Sequence, residues 1–97
     1  MHQAGRAART RLTDAREQIA RRFGCEPKEV IFTGSGSEAA ALAIKGAWSA
    51  RKDQKRTRVV TSAIEHPCVL GAVKQLSGAD VVRLAPDPNG QVPLQRV

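Results

Sequence analysis

The stretch that decides the fold is EVIFTGSGSEAA, residues 29–40, in which a short β-branched and aromatic run gives way to small residues and then to alanines. This order predicts a strand, a tight turn and the first turn of a helix. A helix N-terminus carries unpaired backbone N–H groups and the positive end of the helix dipole, so it favours a phosphate or a carboxylate. Gly34 and Gly36 would let a ligand approach the backbone, and Ser35 and Ser37 would supply hydroxyl groups. We therefore expect this stretch to hold an anion.

Length and composition indicate one small globular domain or part of a larger one. Of the 97 residues 41% are hydrophobic but only 3% are aromatic, so the core is expected to consist of Ala, Val, Ile and Leu. No apolar run approaches the roughly 20 residues that span a membrane, and no apolar stretch follows the basic N-terminal residues. The cytoplasm is the expected location. Cys25 and Cys68 form no CxxC pair, so both are expected to be reduced and partly buried, without a metal.

The net charge of +7 raises the question of a nucleic-acid partner. The positive charges are dispersed along residues 6–22 and 51–58. No aromatic residues alternate with them to stack bases, and no zinc-finger or RNP-type motif is present. Specific nucleic-acid binding is therefore disfavoured, and the basic faces are interpreted as solvated.

The pattern along the chain predicts alternating helices and strands. Their predicted order is a helix over 7–23, a strand over 29–33, a helix over 37–51, a strand over 58–62, a helix over 67–76 and a strand over 80–84. This is an α/β fold, a helix followed by β-α-β-α-β, with a mostly parallel sheet covered by helices. Three strands are few for a complete doubly wound domain, so we expect residues 1–97 to be part of one domain with no second domain present.

The turn also satisfies the dinucleotide-binding pattern G-x-G-x-x-G/A over residues 34–39. That reading requires an acidic residue at the end of the second strand, roughly 20 residues further on, to bind a ribose. Asp53 comes before that strand, and Glu65 comes three residues after it. A Rossmann-like fragment is therefore a disfavoured alternative, and a P-loop is excluded because no Gly-Lys-Ser/Thr follows the glycines.

His66 is the second candidate functional residue. It follows the second predicted strand as the 33–38 turn follows the first, and ligands of open α/β sheets gather at the carboxyl ends of the strands. A phosphate at Ser37 with an imidazole nearby would suit a small phosphorylated aromatic ring. A lone His before a helix is also commonly a surface or capping residue, and spacing alone leaves both interpretations open.

Five blocks of the sequence, in order, resemble the pyridoxal-phosphate cysteine desulfurases of the class V aminotransferase group. The resemblance covers essentially all 97 residues, and its most specific block is TSAIEHPCVL over 61–70. The other blocks are HQAGRAAR over 2–9, DAREQIA with FG over 14–24, EVIFT with SEA and LAIKG over 29–46, and NGQV over 89–92.

The resemblance implies part of the large domain of a fold-type I pyridoxal-phosphate enzyme. In it, the turn over 33–38 binds the cofactor phosphate, through the backbone N–H of Gly36 and through the N–H and hydroxyl of Ser37. The loop over 63–68 places His66 against the pyridine ring, where it also assists proton transfer. The family usually has Thr at position 37, Ser-Gly at positions 34–35 and Asn-Asn at positions 40–41.

The resemblance also implies an activity, the conversion of L-cysteine to L-alanine with sulfur carried as a cysteine persulfide, as in iron–sulfur cluster assembly. The implied partners are a sulfur-acceptor protein and a second copy in a homodimer, with no membrane. Related lyases and aminotransferases share these early motifs.

In the family, the Schiff-base Lys, the Asp on the pyridinium nitrogen and the persulfide Cys come from positions beyond residue 97. We therefore expect the 97 residues alone to be inactive. The non-enzyme alternative is a small basic α/β module that binds anions or nucleic acid.

Overall fold

A computed structural model describes residues 2–93 of the chain, which divide into two compact units, one ending at Phe32 and the next beginning at Thr33. The first unit contains helix α1, His2–Phe23, and a short 3-10 turn, Pro27–Glu29. The second contains helix α2, Gly36–Ala50, strand β1, Arg58–Ser62, helix α3, Pro67–Lys74, and strand β2, Asp80–Leu84. Residues 1 and 94–97 lie outside the described range.

Helix α1 begins five residues earlier than the sequence predicted, since nothing between His2 and Ala7 breaks a helix. It ends as expected at Gly24, whose φ of 68° is in the left-handed region. The Cys25 N–H donates to the Ala20 carbonyl at 3.0 Å, which satisfies an end carbonyl of the helix. The extended segment after the 3-10 turn lies along this helix, because Arg16 Nε donates to the Val30 carbonyl at 3.1 Å.

The predicted first strand, residues 29–33, is not a strand in the described residues, and this prediction was wrong. Pro27 starts a 3-10 turn that includes Glu29, and the Glu29 carboxylate accepts the Glu26 N–H at 2.7 Å. Residues 30–33 have no strand partner within 2–93. A strand exists through its hydrogen bonds to a neighbour, so an apolar, β-branched run is not sufficient by itself.

The second unit confirms the α/β class and the parallel pairing. Strands β1 and β2 are parallel, with Val59 opposite Val81 and Val60 opposite Val82, and helix α3 connects them. Helix α2 packs against α3. The buried core of this unit among the described residues is small and consists of Ala72, Val73, Leu76 and Leu84.

Several apolar side chains of the described residues remain exposed. In the second unit these are Leu42, Val60 and Ile64, and in the first Leu12, Phe23, Ile31 and Phe32. No helix within residues 2–93 is both long and apolar enough to cross a membrane.

The small core predicts weak folding cooperativity for the 97-residue chain. Few side chains are buried on folding, so little hydrophobic free energy is available to offset the conformational entropy that the chain loses when it folds. We expect a broad, shallow thermal transition in far-ultraviolet circular dichroism. A sharp two-state transition at low protein concentration would contradict this and favour the independent basic module.

The N-cap of α2 gives a second prediction. Ser35 caps this helix, and its Oγ accepts the Glu38 N–H at 3.1 Å. Replacing Ser35 by Ala should destabilise the helix by about 1 kcal/mol. This loss corresponds to about fivefold faster amide hydrogen exchange in the first turns of the helix. Ser37→Ala is the matched control, because the Ser37 hydroxyl has no hydrogen bond to the described residues. Equal exchange in both variants would show that the cap is not important.

Candidate functional site

The turn before α2 is held by a set of short-range hydrogen bonds. The Ser35 backbone is extended (φ −163°, ψ 166°), and its Oγ accepts the Glu38 N–H. The Glu38 carboxylate reaches back to accept the Gly34 N–H at 3.0 Å, and Thr33 Oγ1 donates to the Ser35 carbonyl at 2.9 Å. We call these bonds among residues 33–38 the Ser35–Glu38 clip. It fixes the path by which the chain enters the helix.

The clip leaves the backbone donors of the first two helical residues free. Gly36 and Ser37 are the first two residues of α2, and their N–H groups have no hydrogen-bond partner among residues 2–93. The Ser37 hydroxyl is likewise unpaired among these residues, and both residues are exposed. Free N–H groups at the positive end of a helix dipole are suited to bind an anion.

The space around Gly36 is compatible with a phosphate group. A Cβ placed on Gly36 would have no atom within 4 Å other than those of its chain neighbours and its own helix backbone, so the turn is open on this side. At Gly34, a Cβ would lie 3.1 Å from Glu38 Oε2, so that position is crowded by the clip. The donors fit a phosphate, although the Glu38 carboxylate adds a negative charge that the donors have to outweigh.

The sequence interpretation gave Ser35 a hydroxyl for the ligand, and the structure instead uses its oxygen inside the clip. The roles of Thr33 and Glu38 were missed altogether. The signal was present, because residues 35–38 read Ser-x-x-Glu, the capping-box pattern. Ser37 is therefore the hydroxyl that remains free.

His66 is the N-cap residue of α3. Its Nδ1 accepts the Cys68 N–H at 3.1 Å, and Pro67 occupies the first helical position. Accepting this bond requires Nδ1 to be unprotonated, which directs the proton of a neutral ring to Nε2. The capping interpretation left open by the sequence is thus correct, and because His66 is exposed, its ring still has free surface.

Two hydrogen bonds hold the loop that carries His66, just after the end of β1. The Ala63 N–H donates to the Leu84 carbonyl of β2 at 2.8 Å, which extends the sheet pairing by one residue. Ser62 Oγ lies 2.9 Å from Glu65 Oε1 and donates to it. These bonds hold residues 62–66 directly after the carboxyl end of β1.

Helices α2 and α3 both end near the start of β1. Trp48, near the end of α2, and Leu76, just after α3, line one hollow together with Arg58 and Val59 at the start of β1. The C-terminal ends of both helices therefore lie near the amino end of β1. Helix α2 has 15 residues and α3 has 8, so α2 is about 10 Å longer.

The other candidate residues form no further site within the described part of the chain. Cys25 and Cys68 are free and partly buried, as predicted. Asp53, considered for the dinucleotide alternative, instead accepts the Lys55 N–H at 2.9 Å in its own loop. Glu65 is engaged by Ser62.

Comparison with known proteins identifies the family. The sequence model described as Aminotransferase class-V matches residues 1–97. An IscS-like cysteine desulfurase of Mycobacterium tuberculosis is 44% identical over 97 residues, which are 95% of this chain and 25% of that protein. The putative cysteine desulfurase IscS 1 of Bacillus subtilis is 41% identical over 99 residues, 100% of this chain and 26% of that protein.

A third relative is the cysteine desulfurase IscS of Pectobacterium atrosepticum, 41% identical over 95 residues, 96% of this chain and 23% of that protein. The chain thus spans about a quarter of the length of the relatives it matches. The family match confirms that its α/β fold is part of a fold-type I domain, and the family consists of pyridoxal-phosphate enzymes. This chain belongs to the class-V aminotransferase family.

Proposed function

We propose that this chain is the part of a pyridoxal-phosphate-dependent cysteine desulfurase that binds the cofactor's phosphate and one face of its ring. The observation that carries the proposal is the pair of free N–H groups at Gly36 and Ser37, in a chain whose relatives are named cysteine desulfurases. The whole protein would convert L-cysteine to L-alanine and pass the sulfur to an acceptor.

The phosphate would be bound at the start of α2. The Gly36 N–H, the Ser37 N–H and the Ser37 hydroxyl would donate to its oxygens, and hydrogen bonds to a charged group are each worth roughly 1.5–3 kcal/mol. The Ser35–Glu38 clip supports this role indirectly, because it engages the N–H groups of Gly34 and Glu38 and leaves those of Gly36 and Ser37 unpaired.

His66 would lie against the pyridine ring. Its bond to the Cys68 N–H holds the imidazole at the start of α3, so the ring would be oriented before the cofactor binds. The free Nε2 is then the atom that could hold or move a proton of the substrate. Bound pyridoxal phosphate supplies an electron sink for negative charge on the substrate, and the protein supplies position and electrostatics.

The partners of the whole protein follow from the same proposal. L-cysteine would be its substrate, a sulfur-acceptor protein its second partner, a homodimer its assembly and the cytoplasm its location. The membership in the class-V family favours this function over a dinucleotide-binding fragment or an independent basic module.

A chimera tests the proposed function. In it, this chain replaces the matching 95-residue segment of the Pectobacterium relative. We expect the chimera to take up pyridoxal phosphate, seen by its visible absorbance, and to release alanine from L-cysteine. In the chimera, His66→Ala should slow alanine release about 100-fold, the effect of losing a positioned acid–base group. Ser37→Ala should weaken cofactor retention about tenfold, which corresponds to one charged hydrogen bond.

Ser49→Ala is the control, because Ser49 is an exposed residue near the other end of α2. It should leave both measurements unchanged. A chimera that does not take up the cofactor, or that takes it up without releasing alanine, would contradict the proposal. If the His66→Ala chimera kept its activity, only the proposed role of His66 would be contradicted, and the rest of the proposal would stand.

A further inference from the structure

A second surface lies at the amino end of the sheet, away from Gly36 and His66. The connection between α2 and β1, together with the first residue of β1, spans residues 51–58 and contains five basic residues and one acidic residue. The basic residues are Arg51, Lys52, Lys55, Arg56 and Arg58. So dense a positive charge next to a folded core attracts acidic partners.

An apolar hollow of about 350 Å³ adjoins this charge. We call it, with its rim, the Trp48 surface. Its floor consists of Ile44, Ala47, Trp48, Val59 and Leu76, and its rim of Arg51, Arg56 and Arg58. A second hollow of about 490 Å³ opens on Trp48 and Arg51 from the direction of Gln75 and Ser77. An apolar depression with a charged rim is the arrangement that accepts an anchoring side chain.

Arg51 fixes the indole of Trp48 in place. Its guanidinium carbon lies 3.5 Å from the centroid of the Trp48 ring, and its Nη1 donates to the Trp48 carbonyl at 2.6 Å. Its Nε is buried and has no partner among the described residues. The cation–π contact therefore covers one face of the indole, while the hollow remains open beside it.

The remaining rim charges are only weakly engaged. Arg56 pairs with Asp53 at 3.7 Å and Arg58 with Asp80 at 3.5 Å, and all four side chains are more than half exposed. Exposed pairs of this kind contribute little to stability. Carboxylates of a partner can thus replace Asp53 and Asp80 as the partners of these arginines with little loss of stability.

We propose that the Trp48 surface is a docking site for an acidic segment of another protein, with one apolar side chain in the hollow and carboxylates on the arginine rim. A single-stranded nucleic acid fits less well, because base stacking needs an open aromatic face and Arg51 covers one face of the one Trp in the chain. This inference uses none of the cofactor-site residues and is independent of the proposed function.

Fluorescence of Trp48 provides the test, because the chain has only one Trp. The 97-residue chain is titrated with a short glutamate-rich peptide that has one central leucine. We expect saturable binding that shifts the emission and weakens as salt is added. The same peptide with serine in place of leucine should bind about tenfold more weakly, because the hollow then stays empty.

Arg56→Glu should weaken peptide binding about tenfold, and Arg9→Glu, with the same change in charge on exposed α1, should not. Circular dichroism checks that both variants keep the helix content of the parent chain. Equal effects of the two variants, or equal binding of both peptides, would reduce the interaction to net charge and overturn the proposal.

Two further outcomes would also overturn it. One is an oligothymidylate of equal charge binding more tightly than the leucine peptide, which would mark a nucleic-acid surface. The other is peptide binding by the 97-residue chain that is lost in the chimera, measured with a labelled peptide. That result would mean that other parts of the family fold cover the Trp48 surface.

Discussion

The clip between Ser35 and Glu38 is the interaction on which the candidate cofactor site depends. A helix begins with several backbone N–H groups that need partners, and here side chains of the turn supply them selectively. The Ser35 oxygen takes the Glu38 N–H, and the Glu38 carboxylate takes the Gly34 N–H. The donors of Gly36 and Ser37 remain between these two bonds. The geometry of the turn therefore follows from helix capping, and anion binding uses the donors that capping leaves free.

The second constraint is that a strand needs a partner. Residues 58–62 and 80–84 both become strands because each pairs with the other through the connection formed by α3. Residues 30–33 have similar apolar, β-branched character, yet they remain without a strand partner within residues 2–93. The same limit explains the small core of Ala72, Val73, Leu76 and Leu84 and the exposure of Val60 on the sheet.

Local signals in the sequence predicted most of the elements. Pro67 marked the start of α3, Gly24 marked the end of α1, and the two short runs 58–62 and 80–84 were predicted as strands with the bounds observed. Two features were not predicted, because one depends on strand pairing and the other on which of two partners a hydroxyl group binds. One is the missing strand over 29–33. The other is the use of Ser35, since a serine hydroxyl at a helix start can serve a ligand or the cap, and only the position of Glu38 three residues later favours the cap.

An NMR titration tests the central claim most directly. Pyridoxine 5′-phosphate is the probe, because it carries the phosphate and ring but has no aldehyde to react with lysines. We predict that the amide resonances of Gly36 and Ser37 shift and saturate, that those of Gly34 and Glu38 shift less, and that unphosphorylated pyridoxine has no such effect. Unchanged Gly36 and Ser37 amides, with shifts confined to the basic residues 51–58, would contradict the account.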